Sequence, residues 1–283
     1  MSSAYRDNDR VLRLVGGFLN SDPRAIQPEA VDALAQECGI SLEEAYVALL
    51  SAWLEQEPED AALLRRYLPQ MVRRCEPTLI REDAYCQRIQ PVQAREGSFS
   101  LTSERYAPME LFVRDDFLQA EDGRVYPQLG WFSEEVSFPA VQEDGRTWMT
   151  VTPNEINTMR ASLEQTRGRV VTYGLGLGYY AFHALLRDDV SSVTIVERSA
   201  YVIRLFERHL LPLFPRRERL RIVHADAFEH LQNVLPLTPC DTVFADLWHD
   251  VSDGLPMYRR LKALETPGPR YLYWIEPTLR CYL

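Results

Sequence analysis

The segment Asp246-Leu-Trp-His-Asp250, with Asp253 three residues on, sets a histidine among three carboxylates and beside an indole. An imidazole of ordinary basicity takes a proton from an amine or a hydroxyl, and a neighbouring carboxylate raises that basicity. Trp248 can pack against a planar or cationic group. The carboxylates of Asp246, Asp250 and Asp253 together favour a cationic one. A second set of residues points to ligand binding. Residues 169–178 read Arg-Val-Val-Thr-Tyr-Gly-Leu-Gly-Leu-Gly, a β-branched run that ends in a triple-glycine loop. Gly174, Gly176 and Gly178 allow a tight turn, close approach of backbone to a ligand, and packing of a helix on a strand. Glu197 closes the next apolar run, Val193–Val196, where a carboxylate can accept hydrogen bonds from both hydroxyls of a ribose.

The elements that must position these groups alternate regularly. A helix before the loop has Thr152 as N-cap, Pro153 at its first position and Glu155 closing a capping box. Strand 169–173 is followed by helix 178–187, strand 192–196 by helix 199–211, strand 220–224 by helix 226–233, and strand 241–245 by helix 255–265; a last strand spans 270–275. Strands alternating with helices predict a doubly wound, mostly parallel Rossmann-like sheet, whose ligands bind at the carboxyl ends of the strands. Those ends carry the glycine loop, Glu197, Asp226-Ala227, Asp246 and Glu276.

Upstream, residues 8–75 read as all-helical. Ser41 and Glu44 form a capping box, and Leu42, Ala45, Tyr46, Leu49, Leu50 and Trp53 make one apolar face. A second amphipathic stretch runs from Ala61 to Val72. Strand-like pieces follow at 98–102, 110–113 and 136–138, with turn signals at Glu121-Asp-Gly123 and Glu143-Asp-Gly145. The expected division is a helical domain at 1–95, a small β-rich segment at 96–147 and the Rossmann-like domain at 148–283. The helical domain shows no catalytic constellation and is expected to serve packing or homo-oligomer formation.

Composition narrows the function classes. A net charge of -10 disfavours nucleic acid as a partner. The arginines at 216, 217, 219 and 221 read as a solvated loop. No apolar run reaches the roughly 20 residues that cross a bilayer, and the polar start from Met1 lacks a signal-peptide core, so no membrane partner and a cytoplasmic location are expected. Five scattered cysteines without a C-x-x-C pair fit a reduced protein without structural zinc, and no histidine pair has metal-ligand spacing. Lys262 is the one lysine among 31 basic residues and sits in a polar helical stretch, a poor setting for Schiff-base chemistry.

The order GLGLG, Glu197, Asp226-Ala227, Asp246 resembles the class I S-adenosylmethionine-dependent methyltransferases, and among them most closely the spermidine-synthase-like branch. The resemblance covers residues 148–283, about half the chain. It implies S-adenosylmethionine as cofactor. Tyr173, Gly174, Gly176 and Gly178 would lie under its methionine part, and Glu197 with Arg198 would hold the ribose. Asp226 and Ala227 would meet the adenine, and Asp246 would face the sulfonium and the acceptor. The catalytic residues would be Asp246, His249 and Asp250. Two departures stand out: the family's acid two positions before the first glycine is Thr172 here, and its sixth and seventh strands are not expected.

The leading function is methyl transfer to a small-molecule acceptor, an amine being suited to the acidic cluster. The alternatives are aminopropyl transfer from the decarboxylated donor, and a module that holds S-adenosylmethionine without turnover. A nicotinamide cofactor also satisfies the loop, since Gly176-Leu-Gly178-Tyr-Tyr-Ala181 fits G-x-G-x-x-A and Tyr258 with Lys262 has the spacing of a hydride-transfer pair. That pair falls late in the fold, which argues against it.

Overall fold

The computed structural model describes residues 3–89 and 93–283; the polar start at Met1-Ser2 lies outside the described residues. In chain order the first part runs α1 (Ser3–Ser21), α2 (Pro28–Cys38), α3 (Leu42–Leu54), α4 (Asp60–Met71), β1 (Val72–Arg74), α5 (Thr78–Arg81), α6 (Ala84–Arg88), β2 (Ala94–Glu96), β3 (Phe99–Tyr106), β4 (Phe112–Gln119), β5 (Val125–Trp131), β6 (Val136–Glu143) and β7 (Arg146–Thr150). Local sequence explains the helix ends. Gly39, at φ 63°, stops α2 in the left-handed conformation that glycine adopts without strain. Ser41 then opens α3 with the expected capping box: its hydroxyl accepts the Glu44 N–H at 3.2 Å and the Glu44 carboxylate accepts the Ser41 N–H at 2.9 Å.

Helices α1–α4 bury one face each, with Tyr46, Leu50, Leu64, Tyr67 and Leu68 in the core. Tyr46 stacks on Trp131 at 4.7 Å and donates its hydroxyl proton to the Met109 carbonyl at 3.0 Å. Trp53 departs from the expected apolar face; it is 55% exposed, touching Phe18 edge-on, and Leu54 is buried in its stead. Val72 departs as well, because the helix ends at Met71 and the chain turns into a strand.

The expected β segment at 96–147 is not a unit of its own. The chain forms two interleaved compact units, one of residues up to Leu79 with Arg105–Ser137, the other of Ile80–Glu104 with Phe138–Leu283. Strand pairing is the reason. β5 lies parallel to β1, which directly follows α4, so β4 and β5 join the helices in a three-stranded sheet of order β1-β5-β4. The remaining strands form a separate four-stranded sheet, β2-β3-β6-β7. Asp144 and Gly145, both at positive φ, close the β6–β7 hairpin, as the Asp-Gly signal predicts.

The second unit continues with α7 (Pro153–Gln165), β8 (Gly168–Tyr173), α8 (Tyr179–Leu186), β9 (Val190–Glu197), α9 (Ala200–His209), β10 (Leu220–His224), α10 (Ala227–Asn233), β11 (Thr242–Ala245), α11 (Val251–Ala263), β12 (Arg270–Tyr273) and α12 (Glu276–Arg280). The sheet is Rossmann-like, five-stranded and parallel throughout, in the order β10-β9-β8-β11-β12. Chain order reverses between β8 and β11. The carboxyl ends of strands at such a switch point open a crevice. α11 begins four residues before its expected start, because Asp250 and Asp253 form a capping box there. β12 ends two residues early, at Tyr273, and Ile275 at φ 47° leads into α12. Among the described residues no helix is long and apolar enough to cross a membrane.

Candidate functional site

The glycine loop leaves β8 at Tyr173 and enters α8 at Tyr179. All three glycines have positive φ: 95° at Gly174, 48° at Gly176 and 76° at Gly178. Each makes room for something different. A Cβ on Gly174 would stand 2.0 Å from the backbone carbonyl oxygen of Asp246, so the ends of β8 and β11 approach only because this side chain is missing. A Cβ on Gly178 would meet the rings of Phe206 and Phe214 at 2.6 and 2.8 Å, so this glycine serves packing beneath α8. A Cβ on Gly176 would meet Met149 Sδ at 1.8 Å. The thioether of Met149, from β7, lies over the loop and accepts the Leu177 N–H at 3.4 Å. Space that the sequence assigns to a ligand is thus held here by a flexible side chain.

A cavity of about 470 Å³ opens beside this loop, within the range of small-molecule sites. Gly174, Gly176, Glu197, Arg198, Asp226, Ala227, Asp246 and His249 line it, as do Trp148, Met149, Glu155, Trp248, Asp253 and Trp274. Glu197 turns toward the loop: Oε2 accepts the Leu175 N–H at 3.1 Å and Oε1 accepts the Ser199 N–H at 2.7 Å. A carboxylate has about four acceptor positions, so two hydroxyl donors can still be served. Asp226 caps α10, its Oδ1 accepting the N–H groups of Phe228 and Glu229 at 2.9 and 3.0 Å.

Two residues expected at the site, Tyr173 and Asp250, stand elsewhere, and a third, Gly178, lies at its margin. The Tyr173 side chain is fully buried and its hydroxyl bonds His230 Nδ1 at 3.1 Å, because β8 is the central strand and its last four residues are all buried. His230, expected on a helix surface, is therefore 5% exposed. Gly178 lies against the aromatic rings described above; it lines a smaller pocket with Gly174, Glu155 and Asp246 and not the wall of the large cavity. Asp250 is the N-cap of α11, its carboxylate accepting the Ser252 N–H at 2.6 Å, and it does not line the cavity.

The carboxylate beside His249 is instead Asp253, whose Oδ2 lies 3.1 Å from Nδ1. Burial pushes the Asp253 pKa upward, but the Asp250 N–H and the contacts with His249 outweigh it and hold Asp253 below the usual carboxylate range. The His249 ring meets Trp148 edge-on at 4.7 Å.

Glu155 was expected to close the capping box with Thr152. Thr152 makes no side-chain cap, and the Glu155 side chain enters the cavity wall beside Asp246. Burial raises the pKa of both carboxyls, and the charge of Asp246 raises Glu155 further. Sequence reading also missed Met149, Trp148 and Trp274, which carry no motif of their own.

Met149→Ala should tighten binding of a nucleoside ligand at this loop by about 3- to 10-fold, because the ligand no longer has to displace the thioether. Isothermal titration of the variant against the parent checks this, and weaker binding would show that Met149 is not in the ligand's way.

No family model matches the chain, and no curated protein matches it. Solved structures give partial likenesses. A precorrin 8W decarboxylase from Methanobacterium thermoautotrophicum is 20% identical, over 38% of this chain and 54% of that one, with a TM-score of 0.28. A putative O-methyltransferase from Klebsiella pneumoniae is 18% identical, over 41% and 51%, with a TM-score of 0.30. A probable spermidine synthase from Corynebacterium glutamicum is 17% identical, over 48% and 55%, with a TM-score of 0.34. The chain spans about half the length of each. The assignment of a Rossmann-like fold rests on the strand order itself.

Proposed function

We propose that the second unit binds S-adenosylmethionine and transfers its methyl group to a small-molecule amine. The observation that carries this reading is Glu197, a carboxylate at the tip of β9 that lies against a triple-glycine loop in the wall of a crevice at the strand ends. The residues suit the ligand. Glu197 retains acceptor positions for a ribose diol, and Asp226 Oδ2 makes no hydrogen bond among the described residues and is placed to accept an adenine amino group. Bound there, the donor supplies an electrophilic methyl carbon. The protein's part is positioning and proton transfer. His249, oriented through Nδ1 by the ionised Asp253, presents Nε2 to take the proton that an amine loses as it is alkylated. Trp148 and Trp248 offer aromatic surface to the acceptor.

A second reading, aminopropyl transfer, is favoured by one feature. The acid groups of Glu155 and Asp246 in the cavity wall offer no counter-charge to the α-carboxylate of the intact donor, and the decarboxylated form needs none. A transfer assay with both donors against a panel of amines separates the two. The proposal expects methylated amine from the intact donor and a loss of about 100-fold or more in His249→Ala. Product from the decarboxylated donor alone would replace methyl by aminopropyl transfer. Donor binding without product on any amine would leave a non-catalytic module.

A further inference from the structure

The glycine loop is held from two sides. On the cavity side Glu197 accepts the Leu175 N–H, and the Met149 thioether accepts the Leu177 N–H at 3.4 Å. A thioether is a weak acceptor, and this one stands where a ligand is expected. Leu177 sits between Gly176 and Gly178, both at positive φ, so no neighbouring side chain stiffens its backbone. The second hold comes from behind. The hydroxyl of Tyr85, on α6, donates to the Leu177 carbonyl at 2.6 Å, a buried bond between residues 92 positions apart. The Leu177 carbonyl has no other donor among the described residues.

α6 has five residues, far fewer than a helix needs to persist alone, so contacts must fix it. Asp83 supplies them. Its Oδ1 caps α6, accepting the N–H groups of Tyr85 and Cys86 at 2.9 and 3.1 Å. Its Oδ2 accepts the Tyr179 hydroxyl at 2.9 Å and lies 3.3 Å from His183 Nε2. Tyr179 and His183 stand on α8, the helix that the loop enters. The Tyr85 ring packs on Tyr179 and Phe182 of that helix at 5.5 and 5.2 Å, and edge-on to Phe214 at 6.4 Å. α6, the loop and α8 all belong to the second unit.

We infer that Tyr85 is a positioning residue for the donor: its hydroxyl clamps Leu177 from behind, and Asp83 anchors the clamp to α8, so that the glycine loop keeps the conformation that accepts the ligand. The inference rests on the adenosyl-donor reading of the cavity. Entry of the donor displaces Met149 and takes the thioether from the Leu177 N–H. The Tyr85 bond survives that step, because Tyr85 lines neither the large cavity nor the smaller pocket beside it. It touches no ligand there and acts through the loop. Without the hydroxyl the Leu177 carbonyl is buried and unsatisfied, a costly state, and the loop turns to other conformations to relieve it. The ligand-competent fraction falls, and the apparent affinity falls in proportion.

The test uses the full chain and two conservative variants. Tyr85→Phe removes the hydroxyl and keeps the ring. Tyr46→Phe removes a matched buried bond, hydroxyl to the Met109 carbonyl at 3.0 Å, in the first unit. Amide hydrogen exchange of the loop is read without ligand, and S-adenosylhomocysteine is titrated calorimetrically. Both variants should lose a similar, small amount of melting midpoint, since each loses one buried hydrogen bond. Tyr85→Phe should speed exchange of the Leu177 and Gly178 amides about tenfold and weaken S-adenosylhomocysteine about tenfold. Tyr46→Phe should leave both within about twofold of the parent. If S-adenosylhomocysteine binds the parent and Tyr85→Phe keeps parent affinity, or Tyr46→Phe weakens the ligand as much, the inference is overturned and the adenosyl reading stands. If S-adenosylhomocysteine does not bind the parent, the adenosyl reading has failed, and loop exchange alone decides whether Tyr85 clamps the loop.

Discussion

Gly174→Ala should lower the stability of the protein by about 3–5 kcal/mol, a fall in melting midpoint of about 10 °C. The new methyl would stand 2.0 Å from the Asp246 carbonyl oxygen, and backbone cannot swing aside as a side chain can. The Asp246 N–H is bonded to the Tyr173 carbonyl at 2.9 Å, so relief of the clash would pull β8 and β11 apart at the site. The residue would also have to hold φ near 95°, outside the region that alanine adopts readily. Gly123→Ala is the control. It keeps the positive φ, 82°, but meets no atom within 4 Å, and should cost about 1 kcal/mol. Chemical denaturation of the two variants makes the comparison. Equal losses would show that the close approach of the strand ends contributes nothing.

Glu197→Ala should weaken adenosyl ligands by about 100-fold or more while the protein stays folded. Two effects combine. The ribose diol loses its acceptor, and the N–H groups of Leu175 and Ser199 lose the carboxylate that fixes the glycine loop. Hydrogen bonds to a charged group contribute about 1.5–3 kcal/mol each, so loss of two ligand contacts accounts for the expected change. Glu197→Gln should sit between parent and alanine, because the amide keeps an acceptor oxygen but loses the charge. Titration with S-adenosylhomocysteine checks the series. Parent-like affinity in Glu197→Ala would remove the carboxylate from the site.

The alternation of strands and helices after residue 152 was legible because four of the five strands there carry β-branched runs, and helix-start residues such as Ser199 and Asp226 follow them and form the caps their types suggest. The strands before it were harder to read. β5 is buried along its whole length, so it shows no alternation, and Pro127 within it argues against a strand. Its pairing with β1 joins residues more than 50 apart, which local pattern does not encode.

At the site, Glu197, Asp226 and Asp246 could be read because strand ends place them. Glu155 could not. The spacing Thr152-Pro-Asn-Glu155 is that of a capping box, and only tertiary structure reveals that the carboxyl turns inward to Asp246. Asp253 takes the place beside His249 expected of Asp250, because the helix starts earlier than its apolar pattern suggests and Asp250 becomes its cap. Met149 reaches Gly176 from another sheet, a contact that no motif announces.

The most direct measurement is a crystal structure of the chain with S-adenosylhomocysteine. The ribose hydroxyls should lie within hydrogen-bond distance of both Glu197 oxygens, with the Met149 thioether moved off Gly176. A nucleoside bound away from Glu197, or Met149 still seated on Gly176 beside a bound ligand, would contradict the assignment of this crevice to an adenosyl donor.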